Sequence, residues 1–387
     1  DIAGVNMPQD SMIRLMKGPK GSKVKITVNR NGTLIPFDII RDKIPVHCID
    51  AAFMIDETTG YIKLSKFTRT TYTEFTAAAA KLLAQGMTRL LFDLRDNTGG
   101  YFDQAWKLAN EFLERGDEVV YMEGRQRPRQ NFDADGRGFL RDIQISVLID
   151  EGTASSSEIF AGAIQDNDRG VIVGRRSFGK GLVQEPINFT DGSGIRLTVS
   201  RFYTPSGRCI QKPYGDDYQY DIYERYAHGE MTSADSMKVD TTAVFYTVRG
   251  RRVYGGGGII PDVFVPIDTT KATNFFINCN KKATQMRFAQ SMFDKYGKTL
   301  AGIDDFDRLD RYMDEINLDA QFLDYAAHVD GLKPKEGEWE ETVPYLMPQL
   351  KALVGRFSKL SDEAFYRFYL PIDDTIQTAL KNSSVVE

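Results

Sequence analysis

From residue 60 onward, short apolar runs alternate with helix-length stretches, and the runs end at turns rich in Gly, Asp or Ser. Residues 61–67 read as a strand and 73–85 as an Ala-rich helix. Residues 88–94 form a continuous apolar strand with a helix expected over 102–115, and 143–149 form another buried strand. A helix over 156–165 and a strand over 171–173 complete the series. Parallel strands need crossover connections and bury both faces, so this rhythm restricts the chain to α/β layering around a largely parallel sheet.

The flanks differ. Residues 1–43 carry one helix-like piece (11–17) and two alternating strands, 23–29 and 34–41, joined at Asn31-Gly32. That is too little to bury a core, so the start of this unit is expected to precede Asp1. After Phe178 the chain turns β-rich, with strands over 183–189 and 195–203. Residues 212–250 are polar and read as an insertion or long hairpin, and four glycines (255–258) lead into a strand-like 259–265. From about residue 270 the pattern is helical, with Met286, Ala289, Phe293 and Tyr296 expected on one apolar face. The expected domains are therefore 1–43, 44–268 and a helical 269–387.

Composition removes several functions. The 387 residues hold 49 Lys and Arg against 54 Asp and Glu, a net charge of −5, which argues against a nucleic-acid binder. No apolar stretch is long enough to suggest a membrane span. Three cysteines lie far apart, and three histidines (His47, His228, His328) sit in no ligand pattern, so no metal site is expected.

Three segments could carry chemistry. The first, Asp93-Leu94-Arg95-Asp96-Asn97-Thr98-Gly99-Gly100, lies between a strand and a helix, where exposed N–H groups favour negative charge. The second, Asp150-Glu151-Gly152-Thr153-Ala154-Ser155-Ser156-Ser157-Glu158, could project a serine hydroxyl beside an amide donor, although Ser155 and Glu158 also fit a helix-capping box. The third, Gly174 to Gly181, matches a phosphate loop for seven residues and then fails. Gly181 stands where Ser or Thr should hold magnesium, and a strand rather than a helix is expected to follow. A serine nucleophile needs a base, and with few histidines a desolvated lysine, Lys180, is the available substitute.

Together these segments resemble the C-terminal processing peptidases, also called tail-specific proteases. The serine segment, the Phe178-Gly179-Lys180-Gly181-Leu182-Val183-Gln184 segment and the Asp93–Gly100 segment occur in that family's order and spacing. The resemblance implies a peptidase core of the crotonase/Clp-like β-β-α spiral type, preceded by the second half of a PDZ domain whose carboxylate-binding loop would lie before Asp1. It implies Ser155 as nucleophile, Lys180 as general base and Gln184 as the residue that orients the lysine. The amides of Ser156 and of Gly99 or Gly100 would form the oxyanion hole. The expected activity is a serine endopeptidase cleaving extended or C-terminal protein segments through an acyl-enzyme, without cofactor or metal. The resemblance also implies an extracytoplasmic location, since members are usually exported, in bacteria to the periplasm, and often assemble as oligomers. The competing reading is a peptide-binding scaffold with an inert core.

Overall fold

The computed structural model describes residues 2, 5–30, 32–43, 47–215, 218, 220–270 and 272–382. It divides into two compact units, Asp1–His47 and Cys48–Glu387.

In the first unit, α1 (Gln9–Met16) precedes the antiparallel pair β1 (Lys23–Arg30) and β2 (Thr33–Ile40), in register from Lys23↔Ile40 to Arg30↔Thr33. The expected hairpin is present, but Asn31 of its turn lies outside the described residues. Arg41 braces the unit by donating to the Met16 carbonyl at 2.7 Å and to Ser22 Oγ at 2.9 Å. No residue of α1 is buried, and Leu34 and Ile40 are exposed, as expected of a piece too small to make a core.

The second unit is built on a six-stranded sheet of order β14-β9-β8-β5-β4-β3. Its members are β3 (Ile49–Met54), β4 (Thr59–Leu64), β5 (Arg89–Asp93), β8 (Gln144–Ile149), β9 (Val171–Gly174) and β14 (Val263–Phe264). All neighbours pair in parallel except β3, which runs antiparallel to β4. The crossovers carry α2 (Thr71–Leu83), α3 (Phe102–Asn110) and α4 (Ser156–Asp166). Phe75, Phe92, Phe112 and Phe160 meet edge-on or tilted between sheet and helices, which fixes how those layers stack. Every residue of α4 is buried, so the turn that starts it has little freedom to shift.

A second sheet, β10-β11-β6-β7, is antiparallel. It comprises β6 (Glu118–Gly124), β7 (Arg127–Asp133), β10 (Leu182–Asn188) and β11 (Gly194–Tyr203). The 212–250 segment is not a long hairpin. It holds α5 (Asp221–Ala227), a short 3-10 turn at Ala234–Ser236 and β12 (Val244–Tyr246), which pairs with β13 (Arg252–Tyr254). Only Val263–Phe264 of the expected 259–265 strand pairs, along β9.

The remainder is helical: α6 (Asn274–Lys281), α7 (Thr284–Leu300), α8 (Phe306–Glu315), α9 (Leu318–Asp330), α10 (Glu338–Gly355), α11 (Asp362–Tyr369) and α12 (Asp374–Lys381). The apolar face of α7 is rotated from the expected one. Phe288, Ala289 and Met292 are buried, whereas Met286 is 66% and Phe293 43% exposed. The stripe that meets α9 and α10 sets the face, and Phe293 instead covers Phe357 at 4.7 Å. One apolar cluster lies wholly within this helical region. Another joins Ile376 and Ala379 to Tyr61, Leu91, Leu148 and Val173 of the sheet.

Candidate active site

Two parallel strands end side by side, and their exits carry two of the three sequence motifs. β5 leaves its sheet at Asp93, and the chain turns through Arg95 to Gly100 before α3. β8 leaves at Ile149, and the chain turns through Gly152 to Ser155 before α4. The C-terminal edge of a parallel sheet is where such folds place ligands, because loops there are anchored by a rigid base.

The two turns are stitched together. The Asp150 carboxylate accepts the Asp96 amide at 2.9 Å, the Gly152 amide at 3.0 Å and the Thr153 amide at 3.1 Å, while burial pushes its carboxyl up. Thr153 Oγ1 donates to the Leu94 carbonyl at 2.9 Å. The Asn97 carbonyl accepts the Ala154 amide and the Ser157 hydroxyl, each at 2.9 Å. Ser156 Oγ donates to the Gly100 carbonyl at 3.0 Å.

Ser155 is the N-cap of α4 and has φ 59° and ψ −116°, a conformation that costs a non-glycine residue about 1–3 kcal/mol. Its amide donates to Glu158 Oε2 at 2.8 Å, so the acidic half of the expected capping box is real. Glu158 has a second task that the sequence alone does not suggest. The same buried carboxylate accepts the Ser177 hydroxyl at 2.5 Å, the Gly179 amide at 2.7 Å and the Lys180 amide at 2.9 Å. Burial pushes its carboxyl up, while these donors favour the charged form. One carboxylate therefore ties the serine turn to the lysine segment, and the Phe178 amide adds a bond to the Thr153 carbonyl at 2.9 Å. β10, not a helix, follows Gly181, which removes the phosphate-loop reading.

The two glycines have different duties. The Gly99 amide is taken by Asn97 Oδ1 at 2.9 Å, and a Cβ on Gly99 would lie 2.6 Å from the Ala154 carbonyl oxygen. The 93–100 segment thus demands glycine there to press against the serine turn. The amides of Gly100 and Ser156 have no acceptor among the described hydrogen bonds. Gly100 also sits against the Phe67 backbone, where a Cβ would approach the carbonyl oxygen to 1.9 Å.

Other expected placements differ. Among the described residues no hydrogen bond joins the Ser155 hydroxyl to the Lys180 amine. Gln184 is exposed on β10, beside a bulge, and its amide reaches Thr198 Oγ1 at 3.5 Å rather than Lys180. His228 bonds its own helix at the Glu224 carbonyl, and His328 pairs with Asp324 on α9, so neither serves the serine turn. No group of three or more potential metal ligands occurs among the described residues.

Behind the site lies a buried ionic cluster that motif reading missed. Asp93 accepts the Tyr61 hydroxyl at 2.7 Å, Lys63 at 3.2 Å and Arg95 at 2.6 Å. Burial alone would raise its carboxyl, but the Arg95 and Lys63 charges hold it well below the usual carboxylate range. The sequence signal was available: Asp93 and Arg95 flank Leu94 at the end of an apolar strand, where unpaired charge would be costly.

Residues 58–222 match the model of peptidase family S41. A carboxy-terminal-processing protease of Bartonella bacilliformis is 39% identical over 203 residues, 51% of this chain and 46% of that protein. A carboxyl-terminal-processing protease of Synechocystis is 36% identical over 208 residues, 52% of this chain and 48% of its own length. A probable CtpA-like serine protease of Staphylococcus epidermidis is 34% identical over 207 residues, covering 53% and 42%. The matched part thus spans less than half the length of these relatives. Among solved structures, a photosystem II D1 C-terminal processing protease is 26% identical, with a TM-score of 0.42 over 64% of this chain and 57% of that one. These are family-level matches to the S41, CtpA-like tail-specific proteases, and they rest on residues 58–222 and the three motif turns within that stretch.

Proposed function

We propose that this chain is a serine endopeptidase in which Ser155 attacks the scissile carbonyl and Lys180 takes its proton. The Gly100 and Ser156 amides receive the negative charge that develops on the carbonyl oxygen. The lysine passes that proton to the amine as the C–N bond breaks and the amine leaves. A water then attacks the ester at Ser155, the lysine taking the water's proton and giving it to the departing Ser155 oxygen. The observation that carries this reading is that hydrogen bonds tie three separate motif turns together, with Ser155 held at a positive φ and the Gly100 and Ser156 amides of the same turns without an acceptor. Donors fixed in advance cost no reorganisation when charge appears, and each is worth about 10²–10³ in rate.

The substrate class is an extended protein segment, and cleavage near a C-terminus is what the relatives' names attribute to them. Residues 1–43 are read as the second half of a PDZ domain. The reading also includes an extracytoplasmic location, and no helix among the described residues is long and apolar enough to cross a membrane. The second reading, an inert peptide-binding scaffold, is favoured by one feature: Ser155 and Lys180 make no hydrogen bond to each other. Incubation with unfolded β-casein beside Ser155→Ala, read by mass spectrometry, separates the two. Cleavage by the parent chain alone supports the peptidase, and cleavage by neither or by both overturns it.

A further inference from the structure

The helical region reaches the peptidase core at both ends of β5. At the start of that strand, Arg89 donates to the carbonyls of Ala379 and of Leu380, the last turn of α12. A cation there suits the negative end of the helix. At the far end, Arg95 bonds Asp373 at 2.8 Å, and Asp373 caps α12 by accepting the Thr375 and Ile376 amides at 3.0 and 3.1 Å. Between these grips Ile376 and Ala379 are buried in the cluster that contains Leu91 of β5.

Arg95 is the first residue of the turn that ends in Gly100. Its amide donates to Asp93 Oδ1 at 2.9 Å, its carbonyl accepts Lys63, and its guanidinium is divided between Asp93 and Asp373. Asp373 is thus the helical region's own ligand to a residue five positions before the free Gly100 amide. The next residue, Asp96, already carries a positive φ of 57°, so the turn has a strained backbone that depends on what surrounds it.

We propose that Asp373 is a positioning residue of the peptidase site, acting through Arg95 to fix the turn that presents the Gly100 amide. This rests on the serine-peptidase reading above. The helical region is then a working part of the catalytic centre rather than an appendage.

Asp373→Asn tests it, because the amide oxygen can still cap α12 while the charge opposite Arg95 is removed. Competent sites are counted with a fluorophosphonate that labels the active serine, and turnover is expressed per labelled site. The expected result is a fall in kcat of about tenfold with KM within about twofold. Affinity for a peptidyl boronate, whose tetrahedral adduct needs the oxyanion donors, should fall by a similar factor. Asp373→Glu, which keeps the charge, should recover much of the loss. An unchanged kcat per labelled site overturns the proposal, whether or not fewer sites are labelled. If Asp373→Asn does not fold, Arg95→Lys leaves the cap untouched and is read the same way; an unchanged kcat per site again overturns it. A parent chain that neither cleaves nor labels defeats the serine-peptidase reading itself, and the inference falls with it.

Discussion

The two partners of the proposed dyad are held very differently. Ser155 starts a helix whose every residue is buried, and its turn is bonded to Asn97, Gly100, Asp150 and Glu158. Lys180 lies between the buried Ser177 and Gly179 and strand β10, whose residues from Gln184 onward are all exposed. Its backbone is tied by Glu158, yet its side chain has no hydrogen-bond partner among the described residues. A nucleophile in a strained conformation needs surroundings that over-determine it. Lys180, by contrast, has only its backbone fixed, and its side chain must come within hydrogen-bond reach of Ser155 to act as its base.

Breaking each half in turn shows how far that contrast extends. Ser155→Ala and Lys180→Arg should each lower kcat/KM by at least about 10³-fold, since arginine keeps the charge but cannot accept the proton. Peptide hydrolysis checks both, and an active Lys180→Arg removes the lysine from the mechanism. Glu158→Gln comes next, because it strikes both halves together. One of its two oxygens becomes an NH₂ facing donors, which costs about 1–3 kcal/mol. A lower melting temperature and a fall in kcat of ten- to a hundredfold, to order of magnitude, are expected. Asn97→Ala frees the Gly99 amide and the link to the Leu64 carbonyl, loosening only the rigid half. Its kcat should fall about tenfold with KM little changed. Gln184→Ala should do least. With its amide at Thr198, a change within about threefold is expected, equivalent to less than about 1 kcal/mol. A larger loss would show that Gln184 swings to Lys180 during turnover.

Much of the rigid half was legible in the sequence. Strands 88–94 and 143–149 are continuous apolar runs, and the motif turns follow them directly, so sequence neighbours are also spatial neighbours. The hairpin β6–β7 was invisible because Arg127 to Gln130 carries no apolar alternation; its pairing is set by the backbone and by Phe132 under Phe102 and Trp106. α3 stops at Asn110, not at 115, because the Glu111 carbonyl accepts the Leu140 amide and the Asn110 side chain accepts the Asp135 amide, both from a distant loop. Glu158 read as a cap because its local bond is at helix spacing, whereas its bonds to Ser177, Gly179 and Lys180 cross a strand and a turn. The helical region showed its periodicity but not its partners. An apolar stripe says that a face is covered, and nothing in Ile376 or Ala379 names Leu91 as the cover.

The position of α12 along the chain adds a consequence for biosynthesis. Ribosomes release a chain from its N-terminus, so the serine and lysine turns emerge long before the helix that grips β5 at both ends. Until α12 docks, the Leu91 face of the sheet lacks Ile376 and Ala379, and Arg95 lacks its second carboxylate. Under the proposed peptidase reading, the serine is therefore made early and its full bracing late, an order that would limit cutting of neighbouring unfolded chains while the chain is itself unfinished.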